Sequence, residues 1–221
     1  MTFTNSPLAV FRQISPNRNS PRSRPIRKIT IHHTAGVISI ENLGGWFARP
    51  STQASSNYGV GNDGRIGLYV EERDRSWCSS SPENDHQAIT IEVSNSAAGG
   101  QWPVSDAALT ATIGLCVDVC QRNGIERLNY TGTADGNLTR HDMFRATVCP
   151  GPYLGGRLPF IVDEVNRRLG ATAVDSVADA IETLRLNGVI GSPEYWLENY
   201  GRLQYLDRLL INMANKIAFK A

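Results

Sequence analysis

No stretch of this 221-residue chain carries the run of roughly 20 apolar residues needed to cross a bilayer, so membrane insertion is not expected. Charge of one sign is equally scarce. Lys and Arg number 22 against 21 Asp and Glu, a formal net charge of +1, which supplies no whole-molecule field for gripping nucleic acid or an anionic membrane. No nucleic-acid-binding motif, internal repeat or low-complexity tract is visible, and no nucleic-acid partner is expected. The opening stretch, MTFTNSPLAVFRQISPN, lacks the basic segment and following apolar run of a secretory leader. A protein made in the cytoplasm, and either kept there or released by a route other than its own leader, is therefore expected. Cysteine is too sparse for a disulfide framework: only Cys78, Cys116, Cys120 and Cys149 occur. Cys116 and Cys120 lie one helical turn apart on an apolar face and read as small buried side chains, poorly placed to bridge.

What is present, 41% hydrophobic and 19% charged residues, is the balance of a globular protein. Residues 1–25 read as an irregular, solvated arm in which Arg18, Arg22 and Arg24 mix with Pro16, Pro21 and Pro25, with Arg27 and Lys28 just beyond. RKITIHHT alternates around β-branched Ile29, Thr30 and Ile31 and predicts a strand ending near His32. Ser39 to Phe47 predicts a short helix, and NYGVGNDGRIGLYV a hairpin turning at Asp63-Gly64. HQAITIEVSN is the clearest strand; its alternation puts Ile89, Ile91 and Val93 on one face and Glu92 on the other. A long helix is expected from Ser105 to Arg122, loop over 130–156, and another helix from Leu158 to Leu169. Strands alternating with helices predict an α/β domain over 26–170, a mixed central sheet with helices packed on it. Beyond a small-residue linker, ATAVDS, residues 171–221 read as a small C-terminal helical module. Its stripes are Val177, Ile181 and Leu184, then Leu203, Leu206, Leu210, Met213 and Ile217, with Ser192 as the cap of a short helix between them.

Three residues at loops or strand ends suit a metal ion: His32, His141 and Cys149. Neutral imidazole and thiolate are good zinc ligands, and three protein ligands leave a fourth position open. Pro150 and Gly151 force a turn straight after Cys149, so the loop RHDMFRATVCPG can fold His141 and Cys149 back towards one point. On the residues alone this pattern is weak: a lone histidine is more often a surface or hydrogen-bonded residue, and a lone cysteine is usually core.

Taken in order, IHHTAG, ITIEVSN and RHDMFRATVCPG resemble the zinc N-acetylmuramoyl-L-alanine amidases, a family that includes amidase-type phage lysins and the peptidoglycan recognition proteins. The resemblance runs from about residue 25 to 170. It implies Zn2+ held by His32, His141 and Cys149, and hydrolysis of the amide joining N-acetylmuramic acid to the L-alanine of the stem peptide. Glu92 falls where some branches carry a general base. Thr147 falls where the family carries Lys or Thr, suited to steadying an oxyanion. The family's helper tyrosine falls on Ser56, with Tyr58 two residues later, which makes a tyrosine-assisted mechanism doubtful and shifts weight to Glu92. His33 is expected to be structural and His86 to lie at the surface; Cys78 is assigned no role, and Trp46, Trp77 and Trp102 either line a substrate groove or fill the core, the core being the expectation.

The expected partner is bacterial peptidoglycan, attacked at the cell wall by a phage-type endolysin whose exit is by release or holin-dependent. The basic N-terminal stretch could then meet anionic wall polymer. The C-terminal helices would bind the wall, pair two chains into a homo-oligomer, or only brace the main domain. A peptidoglycan-binding module without catalysis is one alternative, although such relatives typically lose the cysteine ligand and Cys149 is present. A zinc endopeptidase, or a cytoplasmic amidase recycling wall fragments, is another.

Overall fold

The computed structural model describes residues 3–170, 176–202 and 206–218. Most of the expected linker (171–175) and Leu203 lie outside the described residues, as does the side chain of Ile217. The chain divides into two compact units, Met1–Asn166 and Arg167–Ala221.

Among the described residues, the first unit has eight strands: β1 (Ala9–Arg12), β2 (Arg18–Asn19), β3 (Lys28–His33), β4 (Tyr58–Val60), β5 (Ile66–Leu68), β6 (Arg75–Ser76), β7 (Ala88–Val93) and β8 (Leu138–Arg140). Six form one mixed sheet in the order β1-β5-β4-β7-β3-β8, and β2 pairs with β6 in a separate antiparallel ribbon. Within the large sheet only the β4–β5 hairpin is antiparallel; its turn contains Gly64 at φ 82°, a conformation glycine adopts without strain. Strand β3 lies between β7 and β8 and runs parallel to both. Its β-branched residues suit that flanked position, and Ile29, Thr30 and Ile31 are fully buried.

The helices are α1 (Ile40–Phe47), α2 (Pro82–Asp85), α3 (Asp106–Asn123), α4 (Gly151–Gly170), α5 (Val177–Leu186), α6 (Pro193–Asn199) and α7 (Leu206–Ala218). Ser39 caps α1 by accepting from the Asn42 N–H, and Ser105 caps α3 through the Ala108 N–H. Helix α3 ends where Gly124 takes the left-handed conformation, as the Asn123-Gly124 pair predicts. It packs on β7 and β4 through a broad buried stripe that includes Leu109, Ile113, Cys116 and Cys120. Helix α1 covers β5 with Leu43 and Phe47 against Tyr69, whose hydroxyl donates to the Ile40 carbonyl.

Two expectations are corrected. The segment before residue 25 is not an irregular solvated arm. Residues 9–12 form the edge strand β1, residues 18–19 form β2, and Arg22 is buried. The guanidinium of Arg22 donates to the carbonyls of Glu72, Asp74, His86 and Ala88. Arg18 pairs with Asp74 and Arg24 with Glu83, so this basic stretch is largely engaged within the fold. Nor is 130–156 all loop: β8 extends the sheet, and α4 begins at Gly151 rather than Leu158. Pro152 is tolerated there because the first-turn N–H groups of a helix have no intrahelical acceptor.

The second unit has its own apolar cluster. Ala180, Ile181 and Leu184 of α5 meet Leu210 and Ala214 of α7, with Val177, Trp196, Leu206 and Met213 packed against them. Ser192 occupies the expected cap position of α6, but its backbone is left-handed and its side chain makes no capping bond. Among the described residues, no helix is long and apolar enough to cross a membrane.

Burial pushes the Arg22 guanidinium down to about 10 against the opposing pull of Glu72, Asp85 and Asp74. Losing a buried donor set of this kind costs about 3 kcal/mol. Arg22→Ala is expected to lower unfolding stability by that order in chemical denaturation, whereas a solvated arm residue would shift it by less than about 0.5 kcal/mol.

Candidate metal centre and catalytic cavity

Three parallel strands carry the same local pattern, a buried threonine followed two residues later by a chemically active side chain. These are Thr30 and His32 on β3, Thr90 and Glu92 on β7, and Thr139 followed by His141 at the end of β8. The register aligns the rows. Thr30 lies opposite both Thr90 and Thr139, His32 lies opposite Glu92, and Ile31 lies opposite Arg140, the residue before His141. Because side chains alternate along a strand, the threonines and the active residues of β3 and β7 share one face. The threonine row is tied together below the site. Thr30 Oγ1 and Thr139 Oγ1 are 2.9 Å apart, Asn84 donates to Thr30 at 2.9 Å, and Thr90 bonds to Ser76 and Asn57.

The third member arrives on the loop between β8 and α4. The Asp142 N–H donates to the Cys149 carbonyl at 3.2 Å, closing the loop, and the Cys149 N–H donates to Thr147 Oγ1 at 3.2 Å. Gly151 then turns at φ 81° so close to the site that an added Cβ would meet His33 Cε1 and Trp102 Cβ at 3.1 Å each. The His33 N–H donates to Cys149 Sγ at 3.4 Å, and Sγ lies 3.8 Å from His32 Nδ1. The rings of His32 and His141 are 4.7 Å apart between centroids. One ligand atom from each of His32, His141 and Cys149 therefore falls within 4.8 Å of the others, a spacing that can hold a single metal ion.

Burial lowers the pKa of His32 well below the ordinary imidazole value, helped by His141 and His33. Burial, then Arg145, lowers that of His141. Both imidazoles are thus held neutral, the form that binds metal. Their Nε2 atoms are buried without a hydrogen-bond partner among the described residues, a state that buried polar atoms rarely occupy without an ion or water. Burial, reinforced by Glu92, pushes the Cys149 thiol up; a bound cation reverses that preference.

Glu92, His141, Thr147 and Cys149 line one cavity of about 280 Å3. Glu92 is raised to about 8 by burial, partly offset by Cys78, whose thiol donates to Oε1 at 3.8 Å; Oε2 is buried and unpaired among the described residues. The Thr147 hydroxyl accepts from the Cys149 N–H, which leaves its own proton free to donate into the cavity. Tyr58 takes no part. Its hydroxyl donates to Glu72 Oε1 at 2.6 Å and accepts from the Ser6 N–H, and it does not line the cavity. Ser56 is buried and donates to the Tyr58 carbonyl.

Sequence reasoning missed two contributors. Trp46 does not fill the core: it is 48% exposed and walls the cavity beside Val148, itself 75% exposed. Its place at the edge of the α1 stripe, three residues after Leu43, was the available signal. Cys78 carried no signal; only the chain path brings it beside His32 and Glu92. His33 packs edge-on against Trp102 and also lines the catalytic cavity beside Cys149.

The N-acetylmuramoyl-L-alanine amidase family profile matches residues 22–152, more than half of the chain. Among solved structures, PlyL superposes with a TM-score of 0.56 at 16% identity, over 71% of this chain and 96% of that one. The PlyG catalytic domain gives 0.57 at 18% identity, over 73% and 96%. A mutant endolysin from Bacillus subtilis gives 0.52 at 16%, over 72% and 97%. At such identities these likenesses show a shared fold. No curated protein sequence matches the chain. The chain belongs to the N-acetylmuramoyl-L-alanine amidase family, and it is an enzyme of that type.

Proposed function

We propose that the enzyme is a zinc-dependent peptidoglycan amidase of the phage endolysin kind, cutting between N-acetylmuramic acid and the L-alanine of the stem peptide. The observation that carries this reading is the convergence of His32, His141 and Cys149 on one point. The donors fit the ion. Zinc bonds of about 2.3 Å to sulfur and 2.0 Å to nitrogen place two tetrahedral ligand atoms about 3.5 Å apart, and Cys149 Sγ and His32 Nδ1 stand at 3.8 Å. Bound there, zinc supplies Lewis acidity: it polarises the scissile carbonyl, brings the pKa of water towards about 7, and favours the ionised forms of Cys149 and Glu92. Glu92 takes the proton of the attacking water and passes it to the departing amine of alanine. Thr147 donates to the oxygen of the scissile carbonyl as negative charge gathers on it. Trp46 and Val148 shield the cavity mouth from bulk water.

The endolysin role draws support from the B. subtilis endolysin that shares the fold. In this reading the catalytic domain is 26–170 together with the N-terminal strands β1 and β2 that complete its fold. The C-terminal module, 171–221, exposes Tyr195, Leu197 and Leu209 and serves wall binding or pairing of chains. The enzyme acts at the cell wall.

Cys149→Ala is expected to abolish both stoichiometric zinc by metal analysis and release of amino groups from purified wall. Glu92→Gln is expected to keep the zinc and lose about 100-fold or more in rate. Full activity after rigorous metal removal contradicts the proposal. A separate outcome concerns the chelated, metal-free protein. A carboxyl raised from 4.5 to about 8 on folding contributes stability that is complete below the unfolded value and is lost as pH rises through 8. Glu92→Gln should therefore gain relative to the native chain as pH is taken from 4.5 to above 8 in denaturant melts. A constant difference across that range would show that Glu92 is not held protonated by burial.

A further inference from the structure

A second cavity, of about 340 Å3, lies in the same unit and shares His141 as a wall with the catalytic cavity. Cys78, the donor to Glu92, also lines it, so it meets the reaction centre at two side chains. The two cavities differ in chemistry. The catalytic cavity is rimmed by Trp46, Val148 and Ile38 and, among the described residues, has no cationic residue in its lining, whereas the second is lined by Trp77 and by two arginines, Arg75 and Arg145.

Neither arginine is held in a contact ion pair, although Arg75 feels the charge of Asp85. Among the described residues, neither has a carboxylate within ion-pair distance, in contrast to arginines such as Arg18, Arg65 and Arg122. Arg145 donates only to Ser80 Oγ, at 3.2 Å, and the buried Nε of Arg75 has no partner among the described residues. The one carboxylate in the lining, Asp85, is turned inward. It accepts from Ser79 Oγ at 2.5 Å and from the N–H groups of Cys78 and Ser79. The cavity thus holds two cationic groups with unused donors, one of them partly desolvated, where an anion gains most from charge-assisted bonds.

The chemistry of the substrate says which half belongs there. Forming the scissile amide consumes the lactyl carboxyl of the sugar, so the free carboxylates near that bond lie on the peptide side. The geometry points to the Arg75–Arg145 cavity as a carboxylate-selecting subsite for the stem peptide, with the scissile amide at His141 and the glycan leaving past Trp46. Each cavity has a tryptophan in its wall, so the cations decide: the uncharged sugar is left to the cavity without them, and the volume of the other accommodates a short peptide segment. This rests on the amidase reading above and adds to it a direction of substrate binding and two specificity-determining arginines.

The test uses the full zinc-loaded chain and two soluble muramoyl-dipeptides, both blocked at the C-terminus. They differ only in whether the residue after L-alanine carries a free carboxylate or a carboxamide. For the native enzyme KM is expected to rise about tenfold or more on amidation, the usual worth of a charge-assisted bond. Arg145→Gln and Arg75→Gln should each raise KM for the acid form towards that of the amide, and Arg145→Lys should recover part of the preference. Equal KM for the two substrates in the native enzyme overturns the subsite. Calorimetric binding of the two free dipeptides reads the same contrast without turnover. A preference for the acid that Arg145→Gln removes supports the subsite even if no substrate is cleaved, a result that would sink the amidase reading alone. Equal or undetectable binding of both dipeptides overturns the subsite whatever the turnover.

Discussion

In-register parallel pairing of β3 with β7 and β8 is the constraint on which the rest of the enzyme depends. It sets His32 opposite Glu92 and delivers His141 one residue past the Ile31–Arg140 pair. Slipping either neighbour by one residue would turn its active side chain to the opposite face, because side chains alternate strictly along a strand. The hydrogen-bonded threonines one row below oppose such a slip: a displaced Thr139 would lose Thr30, and a displaced Thr90 would lose Asn57 and Ser76. Stability and function are thus specified by the same rows of residues. The centre also sits where parallel α/β sheets commonly bind ligands, beyond the carboxyl ends of the strands.

That arrangement carries a cost which the surroundings offset. Two imidazoles, a thiol and a carboxyl are buried together, and without a cation burial drives each towards its neutral form. Buried polar atoms without partners are destabilising, and the unpaired Nε2 atoms of both histidines and Oε2 of Glu92 are such atoms. A divalent ion held by His32, His141 and Cys149 would give those three side chains a partner and favour ionised Glu92 beside it, so its binding would contribute to folding as well as to chemistry. The loop that delivers Cys149 is closed by its own backbone, through the bond from Asp142 to the Cys149 carbonyl and the tight approach of Gly151 to His33. This lets an irregular segment place a ligand as firmly as a strand would.

Much of this was legible in the sequence. Alternation in KITIHH and AITIEV announced the two strands, the spacing of Ile40, Leu43 and Phe47 marked α1, and Ser105 with Asn123-Gly124 bounded α3. The three metal-ligand candidates could be named from their residue types and from the family resemblance, but their meeting point could not, because it depends on pairings across more than 100 residues. The misses have a common cause. Arg22 looked solvated because its acceptors are backbone carbonyls at 72–88, which leave no mark in side-chain patterning. Strand β8 is too short at three residues to show a period, and the Pro150–Pro152 stretch reads as a breaker although it opens α4. Trp46 and Cys78 become site residues only through the path of distant segments.

The two cavities flanking His141 give the enzyme a polarity, apolar on the side of Trp46 and cationic on the side of Arg145. A bond held between them is presented to Glu92 and Thr147 from one defined direction. All of this presupposes that one ion is held jointly by β3, by the end of β8 and by the loop before α4. X-ray absorption at the zinc edge of the loaded full-length chain tests that most directly. The account predicts a shell with one sulfur at about 2.3 Å and nitrogen ligands at about 2.0 Å, the sulfur disappearing in Cys149→Ser. A zinc shell without sulfur, or a chain that binds no zinc, would contradict it.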